Sequence, residues 1–119
     1  MDDQTLFMTM LFDFYGDLLT GKQREYFDLY HNEDLSLSEI AEKAGITRQG
    51  VYDIIARAER MLEDIENKTG VVQRWINSRE ELEQAKGIAE QISMSISDND
   101  ELLALAENLV QCLHKATGN

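Results

Sequence analysis

The sequence predicts an all-α fold, and three observations carry that prediction. Proline is absent from all 119 residues, where average usage of about 5% would place roughly six. Apolar side chains recur at three- and four-residue spacing along most of the chain, the period of helices packed on one side. Helix start and stop signals punctuate the pattern: a hydroxyl residue three ahead of Gln or Glu, and glycine beyond the last apolar position. A chain of this length supports one core and not two independent ones. The expected organisation is therefore a domain over residues 1–70 carrying a helical arm over 71–119.

Residues 4–18 place Leu6/Phe7, Met10/Leu11, Phe14 and Leu18 at helical spacing, with Gly16 weakening the end. Met8, Phe12 and Tyr15 make this helix apolar nearly all round, which suits either ordinary core or a surface shared with a partner. Thr20 and Gln23 have capping-box form, and Tyr26, Phe27, Leu29 and Tyr30 give the next helix an aromatic face closed by His31-Asn32. A second capping box, Ser36 with Glu39, opens a short helix with Ile40, Ala41 and Ala44 inward. Gly45 is placed to end that helix in the left-handed region, and Thr47 to N-cap the following one.

At 100° per residue from Arg48, the residues Val51, Ile54, Ile55, Ala58, Met61, Leu62 and Ile65 fall on one arc. Arg48, Gln49, Tyr52, Asp53, Arg57 and Arg60 fall on the opposite one. One helix is expected from about 48 to 67, ending near Thr69-Gly70. The arm reads as two helices around a polar turn, Ser97-Asp98-Asn99-Asp100. Trp75, Leu82, Ala89 and Ile96 recur every seven residues, with Ala85 and Ile92 between them and Ser78 breaking the second row, so the seam resembles a coiled coil. In the last helix Leu102, Leu105/Ala106, Leu109 and Leu113 are expected to face one way, closing a hairpin or a dimer. Cys112 is expected to be a small buried hydrophobe beside that face.

The short capped helix, the Gly45 turn and the longer amphipathic helix form a helix-turn-helix over residues 36–62. Ala41 supplies the small inward residue where the two helices approach, and the second helix presents its N-terminal turns outward. Recognition helix residues 47–62 place Arg48, Gln49 and Tyr52 where base edges are read; Arg pairs bidentately with guanine and Gln with adenine. Ser36, Ser38, Lys43, Thr47, Arg57 and Arg60 are the candidate phosphate contacts. The plain alternative is a solvated face, with Arg57 and Arg60 paired to acids such as Asp53 or Asp64. Gly50 inside the helix costs about 1 kcal/mol relative to Ala and points to a close approach to a backbone or to simple tolerance.

Charge sharpens these expectations. The net charge is −12, which excludes a general polyanion binder, because phosphate-driven affinity needs a positive surface. Residues 1–35 carry eight acids and two bases, residues 36–62 four of each, and residues 63–119 eleven and five. Any nucleic-acid contact must therefore come from the motif. A lone cysteine excludes a disulfide framework within the chain and fits a reducing compartment. The acidic start is unlike a signal peptide, and the apolar stretch Leu6–Tyr15 is too short to span a bilayer. These readings predict a cytoplasmic protein with no membrane insertion. His31 and His114 lack companions at zinc spacing, and Asp98–Glu101 lacks the glycine and distal glutamate of a calcium loop, reading instead as a helix N-cap with acids near the positive dipole end. With no phosphate loop and no nucleophile motif, no catalytic residue, metal or cofactor is expected.

The run Ser36-Leu37-Ser38-Glu39-Ile40-Ala41-Glu42-Lys43-Ala44-Gly45-Ile46-Thr47-Arg48-Gln49-Gly50-Val51-Tyr52-Asp53 resembles the helix-turn-helix of sigma-factor region 4. With Leu19-Thr20 through Gln23-Arg24-Glu25-Tyr26-Phe27-Asp28-Leu29-Tyr30 before it and Arg57-Ala58-Glu59 after it, the chain resembles the YlxM family of small bacterial proteins. The resemblance covers roughly residues 5–75 well and the remainder loosely. It implies a sigma region 4-like domain with a C-terminal helical extension. It also implies a DNA-binding regulatory role tied to the signal recognition particle through gene neighbourhood, and it carries no catalytic residue over.

The expected partner is double-stranded DNA, bound by a homodimer. The rival is an interaction module whose acidic flanks bind a signal recognition particle component or RNA polymerase without reading DNA.

Overall fold

A computed structural model describes residues 3–96 and 98–118, and every regular element among them is a helix, as the periodicity predicts. Helix α1 (Asp3–Tyr15) stops before residue 18, and a single 3-10 turn, Gly16–Leu18, follows it. Gly16 is buried beneath Phe12, whose ring atoms lie 3.3 Å from where a Cβ would stand. The chain tightens at the residue that has no side chain to accommodate.

Helix α2 (Gly21–His31) starts with a complete capping box: the Gln23 N–H donates to Thr20 Oγ1 at 3.2 Å and the Thr20 N–H to Gln23 Oε1 at 3.0 Å. Phe27 stacks on Phe12 with ring centroids 4.6 Å apart and is fully buried. Helix α3 (Leu37–Ala44) repeats the device with Ser36 and Glu39, both bonds 3.0 Å long. Gly45 ends it at φ +72°, where the N–H groups of Gly45 and Ile46 both donate to the Ala41 carbonyl. An L side chain in that region costs roughly 1–2 kcal/mol. Thr47 then caps helix α4 (Arg48–Thr69), accepting from the Gly50 N–H at 3.0 Å.

Helix α4 packs against α1, α2 and α3. Val51, Ile55, Ala58 and Leu62 of the expected arc are buried, Ile54 and Ile65 are half-buried, and Met61 at its edge is exposed. Around α3 the core joins Ile40 and Ala41 to Tyr26, Val51 and Ile55, with Leu29, Leu35, Leu37 and Ile54 against them. Each such aliphatic contributes about 1.5–3 kcal/mol by leaving water.

One polar group lies inside this apolar packing. The Glu66 carboxylate is buried, and its Oε1 accepts the Tyr15 hydroxyl at 2.6 Å and the Val72 N–H at 3.0 Å. The Tyr15 oxygen also lies 2.8 Å from Thr69 Oγ1. The carboxylate thus joins the end of α1 to the end of α4 and satisfies an N–H in the first turn of helix α5 (Val71–Ser95), which Gly70 at φ +64° sets apart from α4. Burial, then the bond to Glu66, raises the Tyr15 phenol above its ordinary value of 10.0.

The chain divides into two compact units, residues 1–72 and 73–119. In the second, α5 runs on and returns through helix α6 (Asp100–Thr117), with Arg79 donating to the Thr117 carbonyl so that the start of one lies beside the end of the other. Asn99 caps α6 by accepting from the Leu102 N–H at 3.0 Å, with Asp100 and Glu101 in the first turn, as expected of the acidic cluster. Ser97 of the expected turn lies outside the described residues.

The expected seam needs correction. Leu82, Ala89 and Ile96 do turn away from solvent, but Trp75, Ala85 and Ile92 are exposed, and the second inward row is Arg79, Lys86 and Ser93. Long basic side chains lay their methylene stems along the seam, so a count of apolar residues selects the wrong row. On α6 the inward residues are Leu103, Ala106, Val110, Leu113 and Thr117, while Leu102, Leu105 and Leu109 face out. Cys112 shares that outward stripe and is exposed, not buried.

The Tyr15–Glu66 bond has a pH signature. Because the folded-state pKa of Tyr15 is raised, its contribution is complete below the unfolded value near 10 and is lost as pH rises through the folded value. Urea denaturation between pH 8 and 11 is expected to show an alkaline loss of stability that is reduced in Tyr15→Phe. Identical pH profiles for the two proteins would show that the phenol does not titrate in this way.

Candidate nucleic-acid interface

The outward face of α4 begins at its cap. Thr47 fixes the first turn, so Arg48 and Gln49 leave the helix where its N-terminus meets solvent, and Tyr52 follows one turn on. The three span about 100° of the helix circumference, and all are exposed. Gly50 is explained locally. A Cβ there would stand 3.2 Å from Thr47 Oγ1 and 3.6 Å from Ile46 Cδ1, so the close approach is to the capping side chain and not to a backbone as the sequence suggests.

The acids and bases of the motif differ in how they are held. Gln49 Nε2 donates to Asp53 Oδ1 at 3.0 Å. Glu59 Oε1 lies 3.0 Å from His31 Nε2, an imidazole packed on Phe27 with centroids 4.2 Å apart. Glu39 closes the capping box on Ser36. Three of the four acids in residues 36–62 are therefore engaged, and Glu42 stands outside these bonds. Lys43, Arg48, Arg57 and Arg60 are exposed and have no ion-pair partner among the described residues. The pairing of Arg57 and Arg60 with Asp53 or Asp64, held open by the sequence, does not form. Arg48 and Arg60 stand about 18 Å apart along the α4 axis, with Arg57 between them.

The candidate phosphate contacts at the start of α3 are unequal. The Ser36 hydroxyl oxygen accepts the Glu39 N–H, and the Glu39 carboxylate covers the Ser36 N–H. An anion approaching this N-terminus meets a carboxylate already in place, held below its ordinary pKa by the Ser36 backbone and side-chain hydrogen bonds. Ser38 and Thr47 are exposed; the Thr47 oxygen is engaged in its cap, and its hydroxyl proton is not used by that bond.

A feature not read from the sequence lies beside the predicted base-reading residues. Tyr52, Ile55, Ala56 and Glu59 of α4, with Tyr30 of α2 and Leu37 of α3, line a groove of about 250 Å³. Its signal was the i, i+4, i+7 spacing of Tyr52, Ala56 and Glu59. The contribution of Tyr30 from another helix has no local trace in sequence.

Comparison with known proteins gives this geometry a family. Residues 2–107 match the profile of UPF0122, described as "Putative helix-turn-helix protein, YlxM / p13 like". The chain belongs to this family. The UPF0122 protein of Thermoanaerobacter sp. (strain X514) is 54% identical over 86 residues, covering 72% of this chain and 74% of its own. That of Halalkalibacterium halodurans is 46% identical over 109 residues, covering 92% and 96%. A Bacillus thuringiensis relative is 37% identical over 115 residues, covering 97% and 98%. The family match extends past the 5–75 stretch that carries the resemblance in sequence, through α5 and into the first two turns of α6. UPF0122 is described as a helix-turn-helix family, not as a family of enzymes, and no helix among the described residues is long and apolar enough to cross a membrane.

The second capping box is open to measurement. Removing the cap with Ser36→Ala is expected to cost about 1 kcal/mol of stability, read by urea denaturation. Because the folded pKa of Glu39 is lowered, its contribution is complete above the unfolded value and fades as pH falls through the folded one. A carbon-detected titration that placed the Glu39 carboxyl at or above 4.5 would contradict the capping geometry.

Proposed function

We propose that this protein is a DNA-binding regulator that acts as a homodimer in the cytoplasm, connected with the signal recognition particle pathway as its resemblance to the YlxM family implies. Arg48, Gln49 and Tyr52 read base edges in the major groove. Lys43, Arg57 and Arg60, with the Ser38 and Thr47 hydroxyls, hold the flanking phosphates. Ser36 serves the cap instead. The observation that supports this reading is the exposure of Lys43, Arg48, Arg57 and Arg60, none with an ion-pair partner among the described residues, on a motif whose second helix is capped at Thr47 and held by its buried arc with its polar face outward.

The groove beside Tyr52 favours a second reading. A groove lined by two tyrosines and a carboxylate accepts an apolar or basic side chain of a protein more readily than a phosphate. Under this reading the domain binds a signal recognition particle component or RNA polymerase, and the acidic flanks assist.

Selection from a random duplex pool at low salt separates the two. The protein is expected to enrich a two-fold symmetric site that Arg48→Ala,Gln49→Ala no longer enriches. Arg57→Ala and Arg60→Ala should weaken every sequence alike and lower the logarithmic salt slope by about one each. Absence of enrichment by folded protein, with capture of a particle component abolished by Tyr52→Ala, would transfer the function to the second reading.

A further inference from the structure

The hairpin of α5 and α6 buries little between its helices. The residues it covers most completely are Ala89, Ala106 and Thr117. Its larger aliphatics divide: Leu82, Leu103, Val110 and Leu113 turn inward, whereas Ile88 and Ile92 on α5 and Leu102, Leu105 and Leu109 on α6 stay 46–64% exposed. These are not scattered. On α5, Ala85, Ile88 and Ile92 follow the three- and four-residue step of one helix stripe, and on α6 so do Leu102, Leu105, Leu109 and Cys112.

Both stripes flank the inward rows on the same side. Glu90, Ser93 and Met94 line a groove with Glu107, Val110 and Gln111, which places these six residues on one broad side of the hairpin. With those residues on one side and Leu82, Ala89, Ala106 and Leu113 inward, the sense of the two antiparallel helices turns both apolar stripes to the opposite side. A continuous apolar face results, with Glu81 only at its margin.

We infer that this face, centred on Ile88, Ile92, Leu105 and Leu109, joins two copies of the chain through a two-fold axis into a four-helix arrangement. The inference rests on the dimeric part of the proposed function and names the surface that serves it. Three arguments select a second copy. The chain carries a net charge of −12, so copies approaching elsewhere bring acid against acid, whereas this face has no charge at its centre. A basic protein or a nucleic acid would find no counter-charge here, and a second such face is self-complementary under a closed two-fold. The extent suits the centre of such an interface: the stripe runs about 15 Å along α6 by about 20 Å across two helices, the apolar middle of a contact whose polar margin supplies the rest of the roughly 800 Å² per partner.

Two measurements on the full chain test the inference without DNA. Light scattering after size exclusion is expected to give the mass of a dimer for the wild type, and of a monomer for Leu105→Glu and for Ile88→Glu. Both positions are exposed, so neither variant opens the hairpin. The single thiol, Cys112, lies on the same face and reports on its cover. Its reaction with Ellman's reagent is expected to be slowed by about tenfold or more in the dimer and restored in both variants. A wild-type monomer with a fast thiol would overturn the inference. A monomer with a slow thiol would overturn it too, because the face is then covered within one chain. A dimer that survives both substitutions would place the contact elsewhere. None of these outcomes depends on Arg48, so failure of DNA binding and failure of this interface are separable.

Discussion

The first unit depends on a single constraint, that one arc of α4 serves three other helices while the opposite arc stays polar. Val51 and Ile55 meet the α2–α3 cluster, and Ala58 and Leu62 continue the same buried arc toward Glu66. Along that arc the branched side chains of Val51 and Ile55 are followed by the small one of Ala58 and then Leu62, all but fully buried. Since the buried arc fixes the rotation of the helix, the outward direction of Arg48, Gln49 and Tyr52 is set by core packing and not by the motif itself. A polar residue at Leu62 would weaken the core and, through it, the aim of side chains four turns away.

Glu66 extends the same constraint to the end of α4. A carboxylate buried among apolar residues is costly unless its hydrogen-bonding capacity is filled. Here the Tyr15 hydroxyl and the Val72 N–H both donate to Oε1, one from α1 and one from the first turn of α5. Removing the acceptor would take the carboxylate bond from the buried Val72 N–H, at about 1–3 kcal/mol for a donor left unsatisfied, and would leave the Tyr15 hydroxyl to Thr69 Oγ1. The arrangement sets where α1 ends and where α5 starts, which hydrophobic contacts, being non-directional, would leave loosely defined.

Local features were legible in the sequence and distant ones were not. The caps at Thr20, Ser36, Thr47 and Asn99 and the left-handed turn at Gly45 depend on residues within four positions, and each forms as read. The buried arc of α4 was legible because apolar and charged residues separate cleanly around that helix. The Tyr15–Glu66 bond joins residues 51 apart, and nothing near either marks it. The groove under Tyr52 likewise needs Tyr30 from another helix. In the arm, the pattern itself misled. Leu102, Leu105 and Leu109 form the more regular apolar stripe, yet Ala106 and Ala89 face the partner helix, because small residues let two helix axes approach closely. Apolar spacing identifies a stripe that is to be covered; it does not say by which neighbour.

The acidity of the flanks bears on how such a motif would select DNA. A strongly basic reader gains most of its non-specific affinity from released counterions. With eight acids before the motif and eleven after it, that contribution is opposed wherever the rest of the surface nears the phosphates. The opposition acts over the screening length, about 8 Å at physiological ionic strength, whereas the base contacts proposed for Arg48 and Gln49 would act at hydrogen-bond distance. Repulsion therefore weakens every duplex alike, and close contacts restore affinity only where the bases match. Specificity built this way uses unfavourable charge as its discriminating element. A reader of this kind would gain from two recognition helices acting together, because the four bases of one motif stand against a net charge of −12 on its own chain.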